Sequence, residues 1–186
     1  GITTITEGNY PFALVCNPAD NKVYCANWAG DNVTVIAGAA NNVLTTITVC
    51  GHPGRLVYNP ANNRVYCTNT GSDEIIVIDG ATNNVLTTTV VGDGPMAMLC
   101  NSVINRIYCA NRWSNDVAVI DGVTDSVITT VPVGVDPRFL TYNAAENKVY
   151  CANSCSEDVT VIDGATDSVI ATIFVDSLPC ALVYNP

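Results

Sequence analysis

The chain has 186 residues, 48% of them hydrophobic and 13% charged, and a formal net charge of −10 from 7 basic and 17 acidic side chains. That is enough apolar material to bury a core, while an acidic surface repels phosphate, which disfavours sequence-independent nucleic-acid binding and argues against anionic membranes. No apolar run approaches the roughly 20 residues of a membrane helix, so no helical membrane insertion is expected. The first residue is Gly1 and no signal peptide is visible, so we expect a processed protein or a piece of a longer one.

Valine, isoleucine, threonine and tyrosine are abundant, and these residues favour strands. No window places apolar residues at helical spacing. Taken in chain order, Ile2–Thr6 align with Leu44–Thr48 and are expected to form a strand. From residue 11 the chain repeats. Ala13-Leu-Val-Cys-Asn-Pro18, Arg55-Leu-Val-Tyr-Asn-Pro60, Ala97-Met-Leu-Cys-Asn-Ser102, Phe139-Leu-Thr-Tyr-Asn-Ala144 and Ala181-Leu-Val-Tyr-Asn-Pro186 line up at a spacing of 42, with Pro11, Pro53, Pro95, Pro137 and Pro179 in the same register. The repeats are approximately 11–52, 53–94, 95–136 and 137–178, flanked by strands at 1–8 and 179–186 of one domain.

Within the second repeat, four short strands are expected at Arg55–Tyr58, Arg64–Asn69, Glu74–Asp79 and Val85–Val91. We call these a, b, c and d. Asn59-Pro-Ala-Asn-Asn63 joins a to b, and Asp79-Gly-Ala-Thr-Asn-Asn84 joins c to d. Asn, Asp and Gly accept left-handed backbone and cap turns. Four strands in 42 residues, repeated without helices, read as an all-β β-propeller of four complete blades. A sandwich would not repeat in register, and a parallel β-helix would have shorter coils.

Tyr24-Cys-Ala-Asn27, Tyr66-Cys-Thr-Asn69, Tyr108-Cys-Ala-Asn111 and Tyr150-Cys-Ala-Asn153 resemble the Tyr-Val-Thr-Asn tetrapeptide of the YVTN β-propeller repeats, as does the Val-Ile-Asp-Gly-Ala-Thr pattern that follows. The departure is cysteine for valine in all four copies. The resemblance covers the whole chain. It implies a secreted or surface-layer-type prokaryotic protein, hence an extracellular or cell-surface place. It carries no general catalytic signature and no cofactor.

The a–b and c–d turns are nearly constant between copies and read as structural. The b–c and d–a turns vary, and alternation of antiparallel strands puts both on one face. Trp28, His52, Arg55, Arg112, Trp113 and Arg138 lie in or beside that face. Aromatic and arginine side chains anchor binding surfaces, so this face is the candidate site for a glycan, a peptide or protein, or an ion. The competing reading has Trp28 and Trp113 covering hydrophobic edges between blades.

Asp79, Asp121 and Asp163 open their c–d turns, where accepting turn N–H groups suffices to explain them. The loop acids Asp31, Asp73, Glu74, Asp116, Glu157 and Asp158 follow no calcium-loop pattern and read as solvated charge. His52 is the one histidine, two residues from Cys50 in a Gly/Pro turn, without an orienting or oxyanion motif. No residue is assigned a catalytic or metal-binding role. Of the nine cysteines, Cys25, Cys67, Cys109 and Cys151 share one strand b position and are expected to be buried thiols. The candidate disulfides are Cys16–Cys25, Cys100–Cys109 and Cys155–Cys180. An odd count leaves at least one thiol free or bonded to another chain.

These residues point to a non-catalytic structural or adhesive propeller whose partners are other copies of itself or further blades. The alternatives are a ligand-binding propeller using the variable face and, less favoured, an enzyme of the lactonase or quinoprotein kind. The chain reads as d, four abcd blades, then a lone a, an order that does not close on itself. We therefore expect both terminal strands to be held by material outside this numbering, since exposed edges invite pairing.

Overall fold

The computed structural model describes residues 4–5 and 8–185. Among these described residues there are sixteen strands in four antiparallel four-stranded sheets, each formed by one repeat in simple up-and-down order. Blade 1 consists of β1 (Pro11–Asn17), β2 (Lys22–Asn27), β3 (Asn32–Ala37) and β4 (Val43–Thr48). Blade 2 consists of β5 (Pro53–Asn59), β6 (Arg64–Asn69), β7 (Glu74–Asp79) and β8 (Val85–Val90). Blade 3 has β9 (Pro95–Asn101), β10 (Arg106–Asn111), β11 (Asp116–Asp121) and β12 (Val127–Pro132). Blade 4 has β13 (Pro137–Asn143), β14 (Lys148–Asn153), β15 (Asp158–Asp163) and β16 (Val169–Phe174). The single helical turn among the described residues is the 3-10 turn Trp28–Gly30. The expected strands b and c of the second repeat coincide with β6 and β7. Strand a starts two residues earlier than expected, at Pro53.

The chain divides into two compact units, 1–89 and 90–186, each holding two blades. In the first, Tyr24, Ile47 and Val49 of blade 1 share a core with Leu56, Val65 and Cys67 of blade 2. In the second, Tyr108, Val131 and Val133 of blade 3 pack with Leu140, Val149 and Cys151 of blade 4. Strand c is apolar on both faces because it is covered from both sides, as in β7, where Ile75, Ile76, Val77 and Ile78 are all buried. The outer strand d alternates, burying one residue such as Ile47 or Val131 and exposing its neighbours.

Left-handed residues recur at the turns. Asn21, Asn63, Asn105 and Asn147 serve the a–b turns, and Asn41, Asn83, Asp125 and Asp167 the c–d turns. Asn and Asp tolerate this region better than other non-glycine residues, which is why the turns repeat them. Asp79, Asp121 and Asp163 accept N–H bonds from their own turns, at 2.7 Å from Thr82 and 2.9 Å from Thr124 and Thr166.

Two expectations are corrected. All nine cysteines are free thiols, so none of the three proposed disulfides is joined. The register explains two of them: Cys25 lies opposite Leu14 and Cys16 opposite Val23, while Cys109 lies opposite Met98 and Cys100 opposite Ile107. A two-residue offset places the cysteines diagonally, roughly 7–8 Å apart, beyond disulfide reach. At the C-terminal end, Ala181–Tyr184 is not a strand. Among the described residues no segment pairs with it. Of Ile2–Thr6, only Thr4 and Ile5 are described and they form no strand; the rest of that expectation lies outside the described residues.

Candidate functional site

The variable turns meet as expected. The d–a and b–c turns hydrogen-bond directly: Thr70 N–H donates to the His52 carbonyl at 3.3 Å, Arg112 N–H to Gly94 at 2.9 Å, and Ser154 N–H to Asp136 at 2.9 Å. Side chains extend this link toward the preceding blade. Asp31 Oδ1 accepts the His52 backbone N–H at 3.0 Å, and Asn115 Oδ1 accepts that of Asp136 at 2.9 Å.

In the first unit this end carries an aromatic stack. Trp28 lies parallel to the His52 ring, with centroids 5.2 Å apart and planes 11° apart. Phe12 tilts against the Trp28 ring, with centroids 5.4 Å apart. The Arg55 guanidinium sits 5.3 Å above Phe12, within cation–π range. His52 holds a left-handed φ of 63°, and its Nδ1 is 3.1 Å from the Trp28 carbonyl. A carbonyl only accepts, so Nδ1 is the donor in this contact, and the Asp31 carboxylate lies 3.6 Å from the same nitrogen. Trp28, His52 and Arg55 are thus brought together. Phe12 and Asp31, absent from the expected set, complete the cluster. The signal for Asp31 was its place in the left-handed b–c turn; Phe12 sits in a strand position filled by Gly54 and Arg138 elsewhere and had none.

In the second unit the same end is ionic. Asp136, 6% exposed, accepts from Arg112 Nε at 2.6 Å and Arg138 Nε at 2.8 Å. Cys155 Sγ donates to the same carboxylate at 3.3 Å. Burial works to raise the Asp136 pKa, but the hydrogen bonds from Arg112, Cys155 and Arg138 outweigh it and hold the carboxyl below its usual range. The same bond pushes the Cys155 thiol up. Arg112 and Arg138 are therefore brought together by Asp136 of the d–a turn, a residue outside the expected set. Trp113 is 57% exposed, and its ring lies against Gly94, where an added Cβ would come within 2.7 Å of it. Gly94 also has φ +70°, so both the fit and the backbone call for glycine.

Each unit also has a shallow crevice between strand d and the next blade. One, of about 270 Å³, includes Val49, Asn69 and Ile76; the other, of about 290 Å³, includes Val133, Asp158 and Thr160. Recurrence at matching repeat positions marks a generic gap in blade packing. In the first crevice, Ile76 stands where Thr34 and Thr160 bond Asn27 and Asn153, and the buried Asn69 Oδ1 has no hydrogen-bond partner among the described residues.

The buried thiols are not activated. Burial pushes Cys67 up to about 12 and also raises Cys25, Cys109 and Cys151. A nucleophile needs the opposite shift. Among the described residues, no three or more His, Cys, Asp or Glu side chains gather to hold a metal.

No family model matches the chain, and no curated protein matches it. Solved structures do. The chain is similar to hydrazine synthase of Kuenenia stuttgartiensis at 20% identity and a TM-score of 0.82, covering 94% of this chain and 52% of that one. A putative 6-phosphogluconolactonase of Bacteroides uniformis is 14% identical with a TM-score of 0.75, covering 90% and 56%. The WD40 repeats of RRP9 are 13% identical with a TM-score of 0.77, covering 91% and 52%. At these identities the likeness shows the fold alone: propeller blades. The chain spans little more than half the length of these structures, and propellers serve both enzymes and scaffolds.

Proposed function

We propose that the chain is part of a non-catalytic, extracellular or cell-surface propeller of the YVTN-repeat kind, a structural or adhesive element that assembles with further blades or other copies. The observation that carries this reading is where the polar groups are used. Tyr24 and Lys22, and likewise Tyr108 and Arg106, reach from one blade to the c–d turn of the next. Asp79, Asp121 and Asp163 cap their own turns. Groups that hold blades together at equivalent positions of both units are matched to assembly rather than to turnover, and the raised thiol pKa values support the same reading. Protease shaving of intact cells tests it: release of peptides from this chain is expected, and retention inside the cell together with lactone hydrolysis by the purified chain would overturn it.

A second reading has one specific support, the Phe12–Trp28–His52 stack beside Arg55. An aromatic surface next to a cation suits an acidic glycan or peptide. A glycan array probed with the chain and with Trp28→Ala separates the readings: signal lost in the variant favours a ligand site.

A further inference from the structure

The two interfaces described within the units use equivalent positions, and their polar rims coincide as well. Asn17 Nδ2 donates to Asn63 Oδ1 at 2.9 Å, and Asn101 Nδ2 to Asn147 Oδ1 at 2.9 Å. The Tyr24 hydroxyl reaches Asn83 Oδ1 at 2.8 Å, and that of Tyr108 reaches Asp167 Oδ1 at 2.8 Å. Lys22 Nζ reaches the Gly80 carbonyl at 2.7 Å, and Arg106 Nη1 contacts the Gly164 carbonyl at 3.5 Å. An apolar patch from strand d, Ile47 with Val49 or Val131 with Val133, completes each interface.

Blade 4 carries the same donor side: Asn143, Lys148, Tyr150, Ile173 and Val175. Asn143 Oδ1 accepts the Glu146 N–H as Asn17 Oδ1 accepts that of Asp20, which leaves its Nδ2 where Asn17 and Asn101 reach across. Yet the face is open. Ile173 is 47% exposed, against 9% for Ile47 and 4% for Val131, and Val175 is 38% exposed against 5% for Val49. Tyr150 is half-buried, where Tyr24 and Tyr108 are fully buried.

One piece of an occupant is already in place. Ser154 Oγ donates to the Pro179 carbonyl at 2.8 Å. The segment Pro179-Cys-Ala-Leu-Val-Tyr-Asn185 follows the strand a pattern of Pro137-Arg-Phe-Leu-Thr-Tyr-Asn143. We infer that this face of blade 4 is an inter-blade interface, and that its occupant is a fifth blade of the same 42-residue type whose strand a is Pro179–Asn185. The inference rests on the reading of the chain as an assembling propeller. The occupant's chemistry follows from the donors: a left-handed Asn closing its a–b turn to receive Asn143 Nδ2, and a Gly-x-x-Asn or Gly-x-x-Asp c–d turn to receive Lys148 and Tyr150. A second copy of the chain fits less well. Its blade 1 does present an open apolar position, Leu14 at 66% exposed against 8% for Leu56 and 7% for Leu140. But docking it would bring its own strand a, Pro11–Asn17, to the place beside Ser154 that Pro179 holds.

The test compares the chain with one extended after Pro186 by a copy of residues 61–94, which supplies strands b, c and d, and with a second extension copied from 145–178. Amide hydrogen exchange at residues 180–185 is expected to slow by about 100-fold or more in the extended chains. Tyr150→Phe together with Asn143→Ala is expected to reverse most of that protection. Unchanged exchange in both extended chains overturns the inference, as does protection indifferent to the paired substitutions. Sedimentation of the 186-residue chain is expected to give a monomer of 19.6 kDa; a dimer dissolved by Ile173→Asp would make a second copy the occupant and overturn the fifth blade. Failure of the surface localisation would leave all of these outcomes unaffected.

Discussion

The Tyr24 hydroxyl donates to Asn83 Oδ1 at 2.8 Å, crossing from strand b of blade 1 to the c–d turn of blade 2. Its equivalent, Tyr108, meets the carboxylate Oδ1 of Asp167 at the same distance. The tyrosines of the first and third Tyr-Cys-x-Asn motifs are therefore more than apolar fillers. Burial pushes the Tyr24 hydroxyl up to about 12, with the Asp20 charge adding to it, so it stays a donor at any physiological pH. Tyr24→Phe is expected to cost about 1 kcal/mol and Tyr108→Phe about 2 kcal/mol, because the second loses a bond to a charged acceptor. Urea unfolding midpoints measure both; equal or negligible losses would contradict the assignment.

Thiol labelling reads the cysteine positions. Cys16, Cys50, Cys155 and Cys180 are exposed, whereas Cys25, Cys67, Cys109 and Cys151 are buried with raised pKa values. A maleimide at neutral pH is expected to modify the first four and spare the second four until the chain unfolds. Cys155 should react more slowly than Cys180, since its hydrogen bond to Asp136 raises its pKa. Rapid modification of Cys109 in the folded chain would refute the burial.

Acid should destabilise the blades through their c–d turns. Turn N–H bonds, first those from Thr82, Thr124 and Thr166, hold the carboxyls of Asp79, Asp121 and Asp163 below their ordinary range. A group whose folded pKa is depressed contributes stability above its unfolded pKa, about 3.9, and loses it as pH falls through the folded value. The thermal midpoint is expected to fall between about pH 4 and pH 2. Replacing all three aspartates by alanine should lower the midpoint at pH 7 and flatten that acid limb; an unchanged limb would show that other carboxylates control it.

Asp136 is expected to matter for the second unit's loop end more than either arginine. Asp136→Ala removes the acceptor of Arg112, Arg138 and Cys155 at once and puts a Cβ residue unsuited to it at a φ of +60°. Arg112→Ala leaves the Arg138 bond intact. Hydrogen exchange across residues 133–139 should rise in the first variant and change little in the second; a larger rise in Arg112→Ala would count against this order.

The blades themselves were legible because a 42-residue period imposes its own alignment: Asn17, Asn59, Asn101 and Asn143 mark the ends of β1, β5, β9 and β13. Turn chemistry was legible for the same reason, since Asn and Asp recur where the backbone is left-handed. The shared end of the b–c and d–a turns followed from strand alternation alone. Pair geometry did not follow. Cys16 and Cys25 sit on one face nine residues apart, and only the register decides that Cys25 faces Leu14 instead. Nor did the grouping of the loop residues: Asp136 gathers Arg112, Arg138 and Cys155 from two blades, and Phe12 joins Trp28 across a turn. Period and residue type fix what each blade is, because local backbone preference repeats with the sequence. Which side chains meet between blades depends on register and on the approach of one sheet to the next, and those distances are set only when the apolar faces pack.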